Sequence, residues 1–90
     1  MMVEKIERLL RETISASHVA VQDESDRHAG HPGAVSGGGH YRVTVVSPLF
    51  EGKAPVERHR IVYEALAAEM KAKIHALALR TIAPSEYKAA

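Results

Sequence analysis

Histidine is the residue type in this sequence that is best suited to chemistry. The chain has six histidines among 90 residues and no cysteine. Imidazole is a common metal ligand because its neutral form is available near neutral pH. The absence of cysteine excludes a disulfide and any self-contained thiolate site for zinc or an iron–sulfur cluster. The sequence therefore favours metal binding through nitrogen ligands, in a site that a partner would have to complete.

Three histidines are positioned for such a site. His75 lies near the start of a predicted strand, and a strand end is rigid yet exposed, which suits a metal ligand. His28 and His31 form a His-x-x-His pair in the glycine-rich loop 23–39. This loop is longer than most connections between strands, and such loops are generally functional or disordered. We expect His75 and one loop histidine to bind a metal ion together. The sequence does not decide whether the loop ligand is His28 or His31.

The other three histidines are interpreted as structural. His18 and His40 each lead into a predicted strand, which favours strand-start positions over roles as ligands. His59 lies within the apolar stripe of a predicted helix, which favours packing in the core.

A catalytic arrangement is not predicted. Ser25 lies near His28 and several acidic residues, but a mobile loop would not hold a nucleophile and its base to the required geometry. The glycines at 37–39 lack the lysine and the following helix of a phosphate-binding loop. We therefore do not expect an enzyme.

Length and composition indicate one domain over residues 1–90. The apolar content of 46% and the charged content of 26% are ordinary for a soluble globular domain. A net charge of +1 gives no field strong enough to indicate a nucleic-acid partner. No run of 18 apolar residues predicts a membrane span, and the N-terminal stretch has no features of a signal or transit peptide, so a cytoplasmic location is the default expectation.

The elements that position the histidines follow from hydrophobic periodicity. The pattern predicts an amphipathic helix over 3–16, strands over 18–23, 40–47 and 74–82, a main helix from Pro55 to about Lys71, and a flexible C-terminal tail over 83–90. The sum is an α+β fold in which helices cover one face of a three-stranded sheet. The helical connection between the second and third strands allows them to pair in parallel, which predicts a mixed sheet.

The pattern also predicts which residues share a face of the main helix and of the third strand. The apolar stripe of the main helix comprises Val56, Val62, Tyr63, Leu66, Ala67 and Met70, with His59 in its middle. Strict alternation along the third strand places Ile74, Ala76, Ala78 and Ile82 on one face and His75, Leu77, Leu79 and Thr81 on the other.

Four motifs, in the same order and at similar spacing, resemble the BolA family. They are Asp23-Glu24-Ser25 followed by His28, Phe50-Glu51-Gly52-Lys53, Arg58-His59-Arg60-Ile61-Val62-Tyr63 and Ile74-His75-Ala76-Leu77. The resemblance runs from the first helix to about Thr81. It implies an α-β-β-α-α-β fold similar to a type II KH domain, with the extra short helix at about Leu49 to Gly52.

The resemblance also implies a function. Members of the family pair with monothiol glutaredoxins and share a 2Fe–2S cluster with them, so we expect an adaptor in iron–sulfur and iron homeostasis. His75 would be one cluster ligand and His28 the second, with His31 as a competing position. The glutaredoxin cysteine and glutathione would supply the sulfur ligands. The protein would be a monomer alone and a heterodimer with its partner.

The alternative that the resemblance implies is a DNA-binding transcriptional regulator. Its candidate contacts are Lys53, Arg58, Arg60 and Lys71, although nearby glutamates dilute this basic patch. A KH domain clamps single strands with a Gly-x-x-Gly loop between two helices. Here that spacing, Gly30 to Gly33, lies between two strands, so nucleic acid is the second alternative.

Overall fold

The computed structural model describes residues 2–25 and 39–87, and the loop histidines His28 and His31 lie outside these residues. The elements in chain order are α1 (Met2–Thr13), β1 (His18–Asp23), β2 (Gly39–Val46), a 3₁₀ turn (Pro48–Phe50), α2 (Pro55–Ala65), α3 (Ala67–Ala72), β3 (Ile74–Ile82) and a second 3₁₀ turn (Pro84–Glu86). The predicted α+β fold and the order α-β-β-α-α-β are confirmed. Within the described ranges, no helix has the length and apolar character needed to cross a bilayer.

The sheet is mixed, as predicted, in the order β1-β2-β3. β1 pairs with β2 in antiparallel fashion, and β2 pairs with β3 in parallel. Helices cover one face, and the core between the two layers is aliphatic apart from Tyr41 and Phe50. Its fully buried members include Ile6, Leu10, Val43, Val45, Phe50, Val62 and Leu66. Each such side chain contributes roughly 1.5–3 kcal/mol through removal of apolar surface from water.

α1 ends before the predicted residue 16 because Ser15 turns the chain. Ser15 has a φ of 56°, in the left-handed region that usually favours glycine. The N–H of Ala16 then donates to the carbonyl of Leu10 over 3.3 Å, a carbonyl in the last turn of the helix. Ile14 and Ala16 are therefore directed into the core beneath the sheet.

The single main helix predicted over residues 55–71 is wrong, because the backbone breaks at Leu66. Leu66 has φ −106° and ψ 17°, and it separates α2 from α3. Its N–H still donates to the carbonyl of Val62, and its carbonyl still accepts from the N–H of Met70. α3 then leads into β3 at Ile74, while the region of Leu49 expected to form an extra helix is a short 3₁₀ turn.

The predicted stripe on this helix is also partly wrong. Val62 and Leu66 are buried, but Val56 is 70% exposed and Tyr63 is 39% exposed. The buried face extends to the other flank, where Ile61 and Ala65 pack against the core. The expected core packing of His59 is therefore corrected: it lines an outer groove with Val56 and Tyr63.

β3 contains an irregularity that strict alternation missed. Gly39 pairs with Ile74, but the next residue, His40, pairs with Ala76, so His75 is an extra residue in β3. Such a bulge shifts the alternation by one and moves later side chains to the opposite face. Ile74 therefore shares the core face with Leu77 and Leu79 rather than with Ala76 and Ala78. His75 itself is exposed.

The chain after β3 folds back onto the domain. Arg58 donates to both carboxylate oxygens of Glu86 at 2.7 and 3.0 Å. Ser85 donates from its N–H and its hydroxyl to the two carboxylate oxygens of Glu51, at 3.0 and 2.9 Å. We call these four residues the C-terminal clasp.

The C-terminal clasp involves the segment that is expected to form a flexible tail. Ala83 is only 1% exposed, and Ser85 and Glu86 are bonded to Glu51 and Arg58, while the flexibility expected over 83–90 stays a prediction. Residues 88–90 lie outside the described part of the chain.

Candidate metal-ligand site at one end of the sheet

One end of the sheet brings three segments together. β1 ends at Asp23, while β2 begins at Gly39 and its parallel neighbour β3 begins at Ile74. The loop between β1 and β2 therefore leaves and returns at the end of the sheet where His75 lies. We call this the histidine end and the opposite end, which carries the C-terminal clasp, the clasp end.

At the histidine end, the rings of His40 and His75 lie side by side. Their centroids are 5.1 Å apart and their planes are inclined by 43°. His40 is half-buried and His75 is exposed. His40 does start a strand, as predicted, but its ring also lies against the expected ligand. The parallel pairing of β2 with β3 was the signal that could have identified this contact, because it puts the starts of both strands at one edge.

Hydrogen bonds between β1 and β2 hold the backbone of His40 in place. The N–H of His40 donates to the hydroxyl oxygen of Ser25 over 3.0 Å, and the N–H of Glu24 donates to the carbonyl of His40 over 2.7 Å. Asp23 accepts from the N–H of Ser25 over 2.9 Å. Hydrogen bonds from the side chain and the backbone of Ser25 lower the pKa of Asp23 below its ordinary value, so Asp23 stays ionised and keeps this turn closed.

Gly39 and Tyr41 fix the start of β2. A Cβ at Gly39 would lie 2.6 Å from the Tyr41 hydroxyl oxygen and would overlap its ring, so only glycine fits beneath Tyr41. Burial, followed by the charge of Asp23, raises the pKa of Tyr41. The N–H of Gly39 donates to the carbonyl of Lys73 over 2.8 Å, which ties the start of β2 to the start of β3. This arrangement sets the position of His40 relative to His75.

The loop histidines of the predicted metal site, His28 and His31, lie outside the described residues. His28 follows Ser25 by three residues and His31 precedes Gly39 by eight, so both belong to the segment whose two roots lie at the histidine end. Within residues 2–25 and 39–87, no group of three or more histidine, cysteine, aspartate or glutamate side chains could hold a metal ion. The described part of the site therefore consists of two imidazoles.

The remaining histidines lie elsewhere. His18 is at the clasp end, where its ring stacks on Tyr87 with centroids 5.4 Å apart and an interplanar angle of 23°. His59 is on the outer surface of α2. Neither is near His75 along the sheet, so the four histidines within residues 2–25 and 39–87 comprise one pair and two rings that lie apart from it.

The basic residues proposed for nucleic acid have different surroundings. Arg58 is turned inward, with its guanidinium bonded to Glu86 and to the carbonyls of Lys53 and Thr81. Lys53 precedes α2 and is exposed. Arg60 and Lys71 are exposed on α2 and α3, respectively.

Comparisons with known proteins agree with this fold and these motifs. A family model described as BolA-like protein matches residues 10–86. "BolA-like protein 1" of Homo sapiens is 40% identical over 79 residues, which cover 88% of this chain and 56% of the human protein. The chain thus spans little more than half the length of that relative. The "DNA-binding transcriptional regulator BolA" of Escherichia coli (strain K12) is 39% identical over 98% of this chain and 81% of its own length.

A solved structure of a BolA domain has a fold similar to that of this chain. The BolA domain of SufE1 from Arabidopsis thaliana superposes with a TM-score of 0.82 at 33% identity, over 96% of this chain and 95% of that domain. Because the family model spans most of the chain and relatives of about 40% identity cover nearly all of it, this protein belongs to the BolA family.

Proposed function

We propose that this protein is an iron–sulfur adaptor that binds a monothiol glutaredoxin and shares a 2Fe–2S cluster with it. In this proposal His75 and a second histidine supply nitrogen to the cluster, and the family resemblance indicates His28 for the second, with His31 as the alternative. The observation that carries the proposal is the position of His75. It is exposed on a bulge, beside another imidazole and at the end of the sheet from which the loop histidines extend.

The donor set fits half of such a cluster. A 2Fe–2S cluster needs four terminal ligands, and two histidines on one iron with two thiolates on the other is an established arrangement. This chain has six histidines and no cysteine, so it can supply the nitrogen half alone. A glutaredoxin cysteine and glutathione would supply the sulfur half. The site is therefore complete only in the heterodimer.

The geometry also favours a carrier rather than an enzyme. Bulges are over-represented where a strand must redirect a side chain for function, and this one turns His75 outward while Ile74 stays buried. His28 is three residues beyond Ser25, at most about 11 Å along an extended chain, so the loop can reach the strand starts. Imidazole binds metal as a neutral group and lacks the negative charge of a thiolate, so it is the more easily released ligand, as cluster transfer requires.

Visible circular dichroism tests this proposal. Glutaredoxin loaded with the cluster is titrated with the wild-type protein, and we expect a new spectrum that saturates at one chain per glutaredoxin subunit. His75→Ala should abolish the change. His18→Ala is the matched control, because it removes one imidazole at the clasp end and should behave like the wild type. An unchanged spectrum with the wild type, or normal behaviour of His75→Ala, would contradict the proposal.

DNA binding is the second candidate, and it is favoured by the name of the Escherichia coli relative. Since Arg58 is engaged with Glu86, the contacts would come chiefly from Lys53, Arg60 and Lys71. Binding should then weaken steeply with salt, and each substitution to alanine should lower the salt slope by about one. Absence of binding at about 50 mM salt would exclude this function.

A further inference from the structure

We propose that the outer face of α2 is an interface through which two copies of this chain pair in antiparallel fashion. A groove of about 470 Å³ runs along this face, and it is lined by Val56, His59, Arg60, Tyr63, Glu64 and Ala67. The inference does not depend on the proposed function, because the groove shares no residue with the histidine end. It names a second copy of the chain as a partner, whereas the resemblance implied a monomer.

The groove leaves apolar surface of α2 uncovered. Val56 is 70% exposed and Tyr63 is 39% exposed, although the opposite flank of α2 is buried against the core. These two residues are seven positions apart, and Ala67 follows Tyr63 by one turn, so they form a seam along one side of the helix. The small side chain of Ala67 lets the axis of a second helix approach closely.

Two opposite charges flank this seam. Arg60 and Glu64 are one turn apart on α2, and both line the groove. Within residues 2–25 and 39–87, neither side chain forms an ion pair or a hydrogen bond. Arg58 on the same helix is, by contrast, engaged with Glu86. A partner that fits the groove must therefore present an acidic group beside Arg60 and a basic group beside Glu64.

A second copy of α2 in antiparallel orientation presents both groups. If the two-fold axis crosses α2 midway between Val56 and Ala67, each Arg60 lies beside Glu64 of the second copy. Each Val56 then lies against Ala67 of the second copy, so the contact is self-complementary, as a two-fold interface requires. A parallel copy would place Arg60 beside Arg60. A nucleic acid would place phosphate beside Glu64, where like charges repel.

The contact is short, so the dimer should be weak. α2 has 11 residues and is therefore about 16 Å long. A single pair of helices of this length lies at the small end of specific interfaces, where association is transient. The pairing would also cover Arg60. Dimer formation and the DNA contact proposed for Arg60 therefore exclude each other.

Charge exchange across the interface tests this inference. Sedimentation equilibrium of the full chain at concentrations up to about 1 mM covers the range in which weak contacts are populated, and the wild type should form a reversible dimer. Arg60→Glu and Glu64→Arg should each weaken the dimer by about 10-fold or more, since like charges then meet twice beside the axis. An equimolar mixture of the two variants should pair again, because each variant then faces charges of the opposite sign.

Glu12→Arg is the matched control, because it makes the same change of charge at an exposed position of α1, and it should dimerise like the wild type. Dilution followed by ¹H–¹⁵N spectra should shift the amides of the groove residues and leave those of β1 unchanged. A wild type that stays monomeric throughout, or a mixture of the two variants that does not pair, would overturn the inference. Groove amides that shift only when DNA or glutaredoxin is added would also overturn it, because the groove would then serve another partner.

Discussion

Histidines at the two ends of the sheet have different surroundings. At the clasp end, His18 stacks on Tyr87, and Arg58 and Glu86 bind each other. At the histidine end, His40 and His75 contact each other in a tilted arrangement next to the roots of the loop. The comparison shows that the strand topology, rather than the residue type, decides which imidazole packs against the C-terminal segment and which lies beside the roots of the loop.

The charged residues at the clasp end make contacts that stabilise the fold. Arg58 donates to a carboxylate and to two main-chain carbonyls, and Ser85 and Glu51 close the turn beside it. An arginine held in this way is positioned to anchor the C-terminal turn. Substitutions at this end should therefore change stability, whereas substitutions at the histidine end should change metal and cluster binding.

The largest expected effect comes from Gly39→Val. The new side chain would overlap the Tyr41 ring, so Tyr41 must move and the start of β2 must shift away from β3. We expect a loss of about 1–3 kcal/mol in the free energy of unfolding. We also expect weaker capture of the cluster from loaded glutaredoxin by the folded protein, because the start of β2 and the root of the loop move relative to His75. Urea unfolding and visible circular dichroism measure the two effects.

Gly52→Ala is the matched glycine control for that experiment. Gly52 has a φ of 72° and open space around it, so alanine there strains the backbone without a clash. It should cost about 1–2 kcal/mol of stability and leave cluster capture from glutaredoxin unchanged. Equal losses of cluster capture in both variants would mean that binding follows general stability rather than the geometry of the histidine end.

Ser47→Ala should show the reverse pattern. Ser47 is fully buried near the clasp end, where its hydroxyl donates to the carbonyl of Ile14 over 2.6 Å and accepts from the N–H of Leu49 over 3.1 Å. Its removal leaves two backbone groups without a partner and should cost roughly 1–3 kcal/mol. Cluster capture from glutaredoxin should not change. Ser17→Ala, at an exposed position, is the control, and a stability loss as large as that of Ser47→Ala would contradict the account.

Low pH should weaken the C-terminal clasp because the carboxylate of Glu86 becomes protonated. Hydrogen bonding to Arg58, followed by the N–H of Ala83, lowers the pKa of Glu86 from 4.5 to about 2. A depressed pKa in the folded state means that the ionised carboxylate stabilises the fold above about pH 4.5, and this contribution is lost as the pH falls toward 2. The difference in unfolding free energy between the wild type and Glu86→Gln should therefore shrink over this range. A difference that stays constant with pH would show that the ion pair does not stabilise the fold.

The smallest effect is expected from Ser15→Gly, which leaves both ends intact. Ser15 occupies left-handed backbone at the end of α1, where glycine has no steric penalty. The gain should be roughly 0.5–1 kcal/mol after the greater freedom of glycine in the unfolded chain is taken into account. Thermal unfolding measures it, and a lower melting temperature would indicate that the Ser15 side chain has a stabilising role.

Much of the fold could be predicted from the sequence because it follows from local periodicity. The bounds of β1 and β3 and the mixed sheet agree with expectation. The bulge at His75 could not be predicted, since one extra residue leaves no mark on composition yet reverses the alternation that follows. The break at Leu66 depends on how α3 returns to the sheet, which is a tertiary constraint.

The candidate site was predicted only in part for the same reason. His75 could be chosen from its place at a strand start, but the proximity of His40 depends on the register between β2 and β3, which hydrophobic patterns do not specify. The loop histidines His28 and His31 remain predictions, because they lie outside the described residues.

The most direct test of the central claim detects nitrogen from this chain on the cluster iron. The protein is labelled with ¹⁵N-histidine and combined with unlabelled, cluster-loaded monothiol glutaredoxin, and the reduced complex is studied by pulsed electron paramagnetic resonance. We expect strong ¹⁵N hyperfine couplings from two imidazoles of this chain, and the same two couplings in the His18→Ala control. A complex whose spectrum contains no ¹⁵N coupling from this chain would contradict the account.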